Sequence, residues 1–161
     1  GRVVVEPGGN AQLAAAAVEA YVGRRVAVEE TRPPGRLERR GRELWDGAHN
    51  PDGVRYLLGR LDEEIDVVVA SILADKDAEA MLESLAQVAD TLVATSSTSS
   101  RALPAETLAA RARRFFGRVE AIGDPVAALD RARELAEGTI LVTGSHYLLA
   151  DLHARQEQGV R

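Results

Sequence analysis

The chain has 161 residues, of which 45% are hydrophobic, and this suffices for one ordinary globular domain with a continuous core. Its net charge of −5 argues against general nucleic-acid binding, and no apolar run reaches the roughly 20 residues that span a membrane. Cysteine is absent, which is compatible with a reducing compartment. We therefore expect a cytoplasmic protein. The start at Gly1, without an initiator methionine or a signal-peptide pattern, predicts a trimmed fragment.

The first third of the chain predicts a short strand, a helix and a hairpin. Residues 2–5 are β-like, and an alanine-rich helix follows from its cap at Asn10 to residue 22. The proline- and glycine-containing segment 32–36 breaks regular structure. Two short extended pieces, residues 37–39 and 43–45, then predict a β-hairpin.

From residue 46 onward, short β-branched runs alternate with longer helical periods. This alternation predicts buried parallel strands joined by right-handed crossover helices. We therefore predict a Rossmann-like α/β fold with about six strands, mostly parallel and flanked by helices, with an early β-hairpin. The predicted strands are 66–70, 91–95, 119–122 and 139–143, and the predicted helices are 51–61, 77–88, 104–116, 124–137 and about 146–156.

Polar loops follow the carboxyl ends of four predicted strands, at residues 46–51, 71–77, 95–103 and 143–146. Because the carboxyl ends of parallel strands share one edge of a sheet, these loops are expected to converge there, where open α/β sheets bind ligands. The first loop reads DGAHNP, and it places Asp46 and His49 next to an amide cap and a proline that open a helix. This stretch predicts a site.

Several of these polar residues also have a purely structural interpretation. Ser145, after Gly144, either helps to hold a carboxylate or phosphate at a helix start or only caps the helix. Residues 75–77 form either a functional charged loop or an acidic first turn. Arg101 is either a phosphate contact or a surface arginine, and the second interpretation is favoured. His146 and His153 are interpreted as surface residues and not as ligands. Neither a zinc site nor a nucleophilic triad is supported, because further ligands and the G-x-S-x-G pattern are missing.

The only lysine of the chain, Lys76, stands between Asp75 and Asp77, whereas the other nineteen basic residues are arginine. A Walker A phosphate loop needs Gly-Lys-Ser/Thr, so this chain cannot supply one. We expect any loop that grips a triphosphate to lie elsewhere.

Six short motifs occur in order along nearly the whole chain. They are Asn10-Ala11, Pro34-Gly35-Arg36, Asp46-Gly47-Ala48-His49-Asn50-Pro51, Leu73-Ala74-Asp75-Lys76-Asp77, Arg101-Ala102-Leu103-Pro104 and Val142-Thr143-Gly144-Ser145. Together they resemble the C-terminal domain of folylpolyglutamate synthases and bifunctional dihydrofolate synthases, members of the Mur ligase superfamily. The resemblance favours functional roles for Asp46, His49 and Ser145 over the structural ones.

The resemblance implies an ATP-dependent amide ligase, which phosphorylates a folate carboxylate and joins the acyl phosphate to the amino group of L-glutamate. It implies that Asn10 and Arg36 approach the nucleotide, that Asp46 accepts hydrogen bonds from the ribose, and that His49 and Ser145 lie toward glutamate and the reacting carboxyl. Mg²⁺ ligands and the phosphate loop are expected in an N-terminal ATPase domain of the same polypeptide. His146 departs from the family, which often has an apolar or aromatic residue there.

On this interpretation, residues 1–32 are the end of the central ATPase domain with a linker helix, and residues 33–161 are the glutamate ligase domain. Folate and glutamate are the expected partners, and no nucleic acid or membrane is expected. Two alternatives stay open: the C-terminal domain of a muramyl-peptide ligase, and a non-catalytic nucleotide- or anion-binding module. The isolated chain is expected to be inactive.

Overall fold

The computed structural model describes residues 16–21, 23 and 35–158, with side chains up to residue 155. The chain divides into two units, Gly1–Pro33 and Pro34–Arg161. In the first unit, residues 16–21 are helical (α1) and belong to the helix predicted from Asn10. Asn10 itself and the predicted strand at residues 2–5 lie outside the described residues. The assignment of residues 1–32 to a central ATPase domain stays a prediction.

The second unit is a six-stranded sheet flanked by helices, which confirms the predicted fold class. Four predicted strands and five predicted helices are present, with ends that differ by a few residues, and the hairpin strands lie one residue or less from their predicted positions. The strands are β1 (Glu38–Arg40), β2 (Glu43–Trp45), β3 (Ile65–Ala70), β4 (Thr91–Ala94), β5 (Arg118–Ala121) and β6 (Thr139–Thr143). The helices are α2 (Pro51–Leu58), α3 (Ala78–Leu85), α4 (Ala105–Ala112), α5 (Pro125–Leu135) and α6 (His146–Gln158).

The strand order is β1-β2-β6-β3-β4-β5. Only β1 and β2 pair antiparallel, and every other neighbouring pair is parallel. The chain moves across the sheet from β2 to β5 and then returns through α5 to place β6 between β2 and β3. The loops that follow β2, β6 and β3 therefore emerge side by side, at the point where the connections diverge to opposite faces of the sheet.

Successive strand residues point to opposite faces, and both faces are covered by helices. Val68 belongs to the core layer of α2, α3 and α4, whereas Val67 and Val69 belong to the layer of α5 and α6. This two-sided burial explains why β3 has a nearly continuous apolar run instead of an alternating one. Among the described residues, no helix is long and apolar enough to cross a membrane.

Polar side chains at loop ends mark where α2 and α5 begin. Asn50 accepts a hydrogen bond from the Gly53 amide, and Pro51 occupies the first turn of α2, as the sequence predicts. Asp124 caps α5 in the same manner, ahead of Pro125. These caps fix the point at which each loop of the carboxyl edge ends.

Gly144, directly after β6, allows two loops to approach closely. Its φ angle is +100°, and an added Cβ would lie 2.6 Å from the carbonyl oxygen of Ser71. The Ser71 amide donates to the carbonyl of Thr143 at 3.3 Å, so the backbones after β3 and β6 are in direct contact. Only glycine accepts this conformation and this contact without strain.

We therefore expect Gly144→Ala to destabilise the fold by about 2 kcal/mol or more, because it adds both left-handed strain and a backbone clash. Thermal or urea unfolding measures the effect. Gly59→Ala is the matched control, since Gly59 has a φ of −66° and an added Cβ would lie no closer than 3.6 Å to any neighbour. The control should be neutral or slightly stabilising. Equal stability of the two variants would contradict the expectation.

Candidate active site

The loops that follow β2 and β6 are joined by backbone hydrogen bonds at the carboxyl edge of the sheet. The Asp46 amide donates to the Val142 carbonyl at 2.9 Å, and the Gly144 amide donates to the Ala48 carbonyl at 3.0 Å. These two bonds extend the pairing of β2 with β6 beyond the strands. The loops 46–51 and 143–146, which the sequence predicts to converge, are consequently held next to each other.

The Asp46 carboxylate organises the first loop. Its Oδ1 accepts a hydrogen bond from the Ala48 amide at 2.9 Å, and its Oδ2 accepts one from the Leu37 amide at 3.0 Å. Asp46 is only partly buried. Because each carboxylate oxygen can accept two hydrogen bonds and is given one here, the group keeps acceptor capacity for a ligand hydroxyl.

Arg36 lies on a tight loop beside Asp46. Gly35 and Leu37 both have positive φ angles, of +74° and +46°, and the Gly35 carbonyl accepts from the Gly47 amide at 2.8 Å. The Arg36 side chain is exposed, and within residues 35–158 no carboxylate or carbonyl accepts a hydrogen bond from its guanidinium. The loop thus presents a fixed cation at the edge of the sheet, available to an anion.

The structure places His49 against His146. Their ring centroids are 5.0 Å apart with an interplanar angle of 51°, and His49 Nδ1 lies 2.9 Å from the Gly47 carbonyl oxygen. An added Cβ at Gly47 would lie 2.2 Å from the His146 ring, which therefore sits directly on the glycine backbone. The interpretation of His146 as a plain surface residue is incomplete, because its exposed ring forms one wall of the site.

Partial desolvation of the ring lowers the pKa of His146 below its ordinary value, and the electrostatic interaction with His49 lowers it further. The Asp46 carboxylate opposes this shift, and the Arg36 guanidinium adds to it. Four charged or titratable groups, on three separate loops, thus act on one another electrostatically. Near neutral pH, the arrangement favours an uncharged His146 imidazole.

Ser145 is buried, with 1% of its surface exposed, and its Oγ accepts a hydrogen bond from the Tyr147 amide at 3.1 Å. It thus caps α6, as the structural interpretation expects, and its hydroxyl hydrogen is left for a second interaction. Two more hydroxyls of this edge, Ser97 Oγ and Thr143 Oγ1, are buried without a hydrogen-bond partner among the described residues. The sequence places both in polar loops of this edge but assigns neither a role.

The loop after β3 carries charged residues that pair with one another. Asp77 caps α3 through the Ala80 amide at 3.1 Å, which supports the structural interpretation of this residue. The Asp75 carboxylate lies 3.3 Å from the Lys76 ammonium and 3.5 Å from the Arg101 guanidinium. Lys76, by its hydrogen bond, keeps the pKa of Asp75 below its ordinary value. Lys76 and Arg101 therefore lie near the same edge, on adjoining loops.

The structure brings together four of the five residues named from the sequence, namely Arg36, Asp46, His49 and Ser145. Asn10 lies outside the described residues. His146 was missed because its neighbour His49 is 97 positions away in the chain, although its departure from the family pattern was a signal. Across residues 35–158, no group of three or more His, Cys, Asp or Glu side chains is arranged to hold a metal ion.

His153 was also interpreted as a surface residue, and the structure corrects this. Its ring packs edge-on against Trp45, with centroids 5.0 Å apart, and its Nδ1 lies 2.8 Å from Arg40 Nη2. Trp45 is fully buried. His153 is thus part of the contact between α6 and the hairpin, because the fold brings the end of the chain back to β2.

A family model described as "Mur ligase, glutamate ligase domain" matches residues 35–146. A curated relative, the dihydrofolate synthase/folylpolyglutamate synthase of Mycobacterium tuberculosis, is 39% identical over 67% of this chain. The chain spans only 26% of that relative's length. The match therefore concerns one part of a longer enzyme.

Solved structures give the same result. The M. tuberculosis folylpolyglutamate synthase complexed with ADP and AMPPCP is 34% identical, with a TM-score of 0.77, over 92% of this chain and 39% of that one. E. coli FolC in complex with DHPP and ADP is 27% identical, with a TM-score of 0.75, over 93% of this chain and 40% of that one.

The depressed pKa of His146 predicts a pH dependence of stability. The unfolded chain binds the His146 proton more tightly than the folded chain does, so this contribution is fully present above the unfolded pKa of 6.5. It is lost as the pH falls through the depressed folded value. Between pH 7.5 and pH 5, the melting temperature of the wild type should therefore fall more than that of His146→Leu. An equal fall in both proteins would contradict the prediction.

Proposed function

The chain belongs to the Mur ligase, glutamate ligase domain family, and from this premise we propose that it is the C-terminal domain of an ATP-dependent folylpolyglutamate synthase. The parent enzyme adds L-glutamate to a folate through an acyl phosphate, and its ability to make dihydrofolate as well is left open. One observation carries the proposal: Arg36, Asp46, His49 and Ser145, separated in sequence, surround the junction of the β2 and β6 loops.

Arg36 and Asp46 form the nucleotide side of the proposed site. The exposed guanidinium of Arg36 supplies a fixed positive charge for a phosphate group, with five N–H donors. The Asp46 carboxylate, which is held rigid by two backbone amides, accepts the ribose hydroxyls with its remaining lone pairs. Asn10 is the third proposed nucleotide contact. The M. tuberculosis and E. coli relatives were each crystallised with ADP.

His49 and Ser145 form the glutamate side. In the proposed reaction, the folate carboxylate attacks the γ-phosphorus of ATP and ADP leaves. The glutamate amine then attacks the acyl carbon, the C–N bond forms, the C–O bond to phosphate breaks, and one proton is lost from the amine. Such chemistry depends mainly on positioning and charge neutralisation. We propose that the hydroxyl of Ser145, which is buried, and the imidazole of His49, which lies against His146, orient glutamate beside the reacting carboxyl.

The remaining parts come from outside this chain. The sequence contains no Walker A lysine, and the described residues contain no cluster that would hold a metal ion. We propose that Mg²⁺ and the triphosphate are held by an N-terminal ATPase domain of the same polypeptide, in the cytoplasm. Closure of the two domains would exclude water, which otherwise hydrolyses the acyl phosphate.

The two other candidate functions, a muramyl-peptide ligase domain and a non-catalytic binding module, are distinguished by the ligation and binding measurements below. A muramyl-peptide ligase shares the domain family, but the curated relative that matches this chain at 39% identity is a dihydrofolate synthase/folylpolyglutamate synthase. A non-catalytic binding module would bind nucleotide well without the rest of the enzyme. The sequence, however, lacks a Walker A lysine, and within residues 35–158 we propose Arg36 as the phosphate contact.

The decisive measurement is glutamate ligation to a reduced folate by the full-length protein, with ATP. We expect His49→Ala and Ser145→Ala each to lower kcat/KM for glutamate by about 100-fold, because both remove groups that position the attacking amine. Ser84→Ala is the matched control, since Ser84 Oγ bonds only the Ala80 carbonyl within α3. Wild-type activity on a muramyl precursor instead of a folate would overturn the proposal in favour of the cell-wall branch.

A second expectation concerns the chain without the rest of the enzyme. Because the phosphate-binding lysine is missing, the purified 161-residue chain should neither hydrolyse ATP nor ligate glutamate, and it should bind ATP only weakly. Calorimetric titration and a coupled phosphate assay measure both properties. Tight ATP binding by the chain would support the binding-module alternative, and turnover would show that the catalytic parts are complete.

A further inference from the structure

The loop that carries Arg36 has an unfavourable backbone conformation. Gly35 and Leu37, on either side of Arg36, have φ angles of +74° and +46°. For a branched apolar residue such as Leu37, the left-handed region costs about 1 kcal/mol or more. Such a conformation persists only where surrounding contacts impose it, so the contacts of this loop determine where the Arg36 guanidinium stands.

Within residues 35–158, three hydrogen bonds hold the loop, and two of them come from the segment after β2. The Asp46 carboxylate accepts a hydrogen bond from the Leu37 amide, and the Gly47 amide donates one to the Gly35 carbonyl. The third comes from a residue that the sequence did not single out: Glu38 Oε2 accepts the Gly35 amide at 3.0 Å. Arg36 is therefore flanked by two amides, each bonded to a different carboxylate.

The Glu38 carboxylate is itself held in place by Arg40. Its Oε1 accepts two hydrogen bonds from the Arg40 guanidinium, at 2.8 Å from Nε and 2.7 Å from Nη2. The Arg40 guanidinium carbon lies 4.3 Å from the centre of the buried Trp45 ring, and its Nη2 contacts His153. The chain of contacts from Trp45 through Arg40 to Glu38 thus connects the α6 side of the core to the Gly35 amide.

Electrostatics agrees with this geometry. The Gly35 amide, followed by the Arg40 guanidinium, lowers the pKa of the Glu38 carboxyl below its ordinary value. The group is therefore ionised near neutral pH and accepts both sets of hydrogen bonds at once. With 27% of its side chain exposed, Glu38 is neither a freely solvated surface acid nor a core residue.

We propose that Glu38 is a positioning residue of the nucleotide site, which holds the 35–37 loop through the Gly35 amide so that Arg36 stands ready for a phosphate group. Glu38 does not touch the nucleotide. It acts through Arg36, whose guanidinium would otherwise move with a loop free to leave its strained conformation. This inference rests on the nucleotide role proposed above for Arg36.

The first test needs no ligand. In the full-length protein, hydrogen exchange at the Gly35 amide should be faster in Glu38→Ala than in the wild type, because this amide loses its acceptor. Glu63→Ala is the matched control: Glu63 pairs with Arg39 of the same hairpin, accepts a hydrogen bond from Thr139 Oγ1 and is 28% exposed, and neither of these contacts involves the 35–37 loop. Unchanged exchange in Glu38→Ala, or equal acceleration in the control, would overturn the inference regardless of the enzyme's substrate.

The second test separates positioning from general stability. In ATP-dependent ligation by the full-length protein, Glu38→Ala should raise KM for ATP about tenfold with kcat changed less than about threefold, and Glu63→Ala should leave both within about twofold. In an Arg36→Ala background, Glu38→Ala should have no further effect on KM, because the residue through which it acts is gone. Additive effects would overturn the inference.

The same double-mutant cycle can be measured as ADP affinity, which does not require folate to be the substrate. If the wild type binds ADP but does not ligate glutamate to folate, the proposed function fails, while the Glu38 cycle still decides the inference. Glu38→Gln provides a further check, because it keeps one acceptor oxygen and should recover part of the affinity lost in Glu38→Ala. No recovery, together with additive effects in the cycle, would identify Glu38 as a merely structural residue.

Discussion

The arrangement of the site depends on the insertion of β6 between β2 and β3. Among the described strands β6 comes last in the chain, yet it lies between β2 and β3 and pairs with both. The backbone carbonyls and the amide at its end form hydrogen bonds with the two adjacent loops. Backbone hydrogen bonds have fixed lengths and directions, so they transmit the geometry of the sheet to the loops. Gly144 is essential to this arrangement, because any side chain there would separate the backbones after β6 and β3.

Within this frame, the charged groups divide into two kinds. The carboxylates of Asp46 and Glu38 are engaged by backbone amides and hold the shape of the hairpin loop. The Arg36 guanidinium has no protein partner within residues 35–158 and is exposed. An anion site needs such a division. The carboxylates fix the backbone of the loop, and the loop positions the guanidinium before the anion binds.

This division is consistent with a domain that contributes groups to a reaction without performing it alone. Phosphorylation of a carboxylate and attack by an amine require little covalent chemistry from the protein, and they gain most from alignment, neutralisation and exclusion of water. A rigid edge with one free cation, an imidazole pair and a buried hydroxyl can supply alignment. Under the proposed function, the phosphate loop and the metal come from another part of the parent protein.

The sequence alone predicted much of the fold, because its signals are local. Runs such as that of β3 are apolar on both faces, and caps such as Asn50-Pro51 mark helix starts by their own side-chain chemistry. The order of strands and loops also placed Asp46 and His49 at the carboxyl edge, since parallel strands end on one side. Helix and strand ends were less exact, because tertiary packing and not local preference decides the last turn.

The sequence by itself thus determined the fold class, the polar edge and four of the groups that gather there. Only the tertiary structure decided that His146 faces His49, that His153 packs on Trp45, and that Glu38 holds the Gly35 amide. The first two contacts join residues about a hundred positions apart. The third depends on the left-handed backbone angle of Leu37, which the residue type does not predict. Such contacts arise from how the sheet and its helices pack, and no local pattern in the chain encodes them.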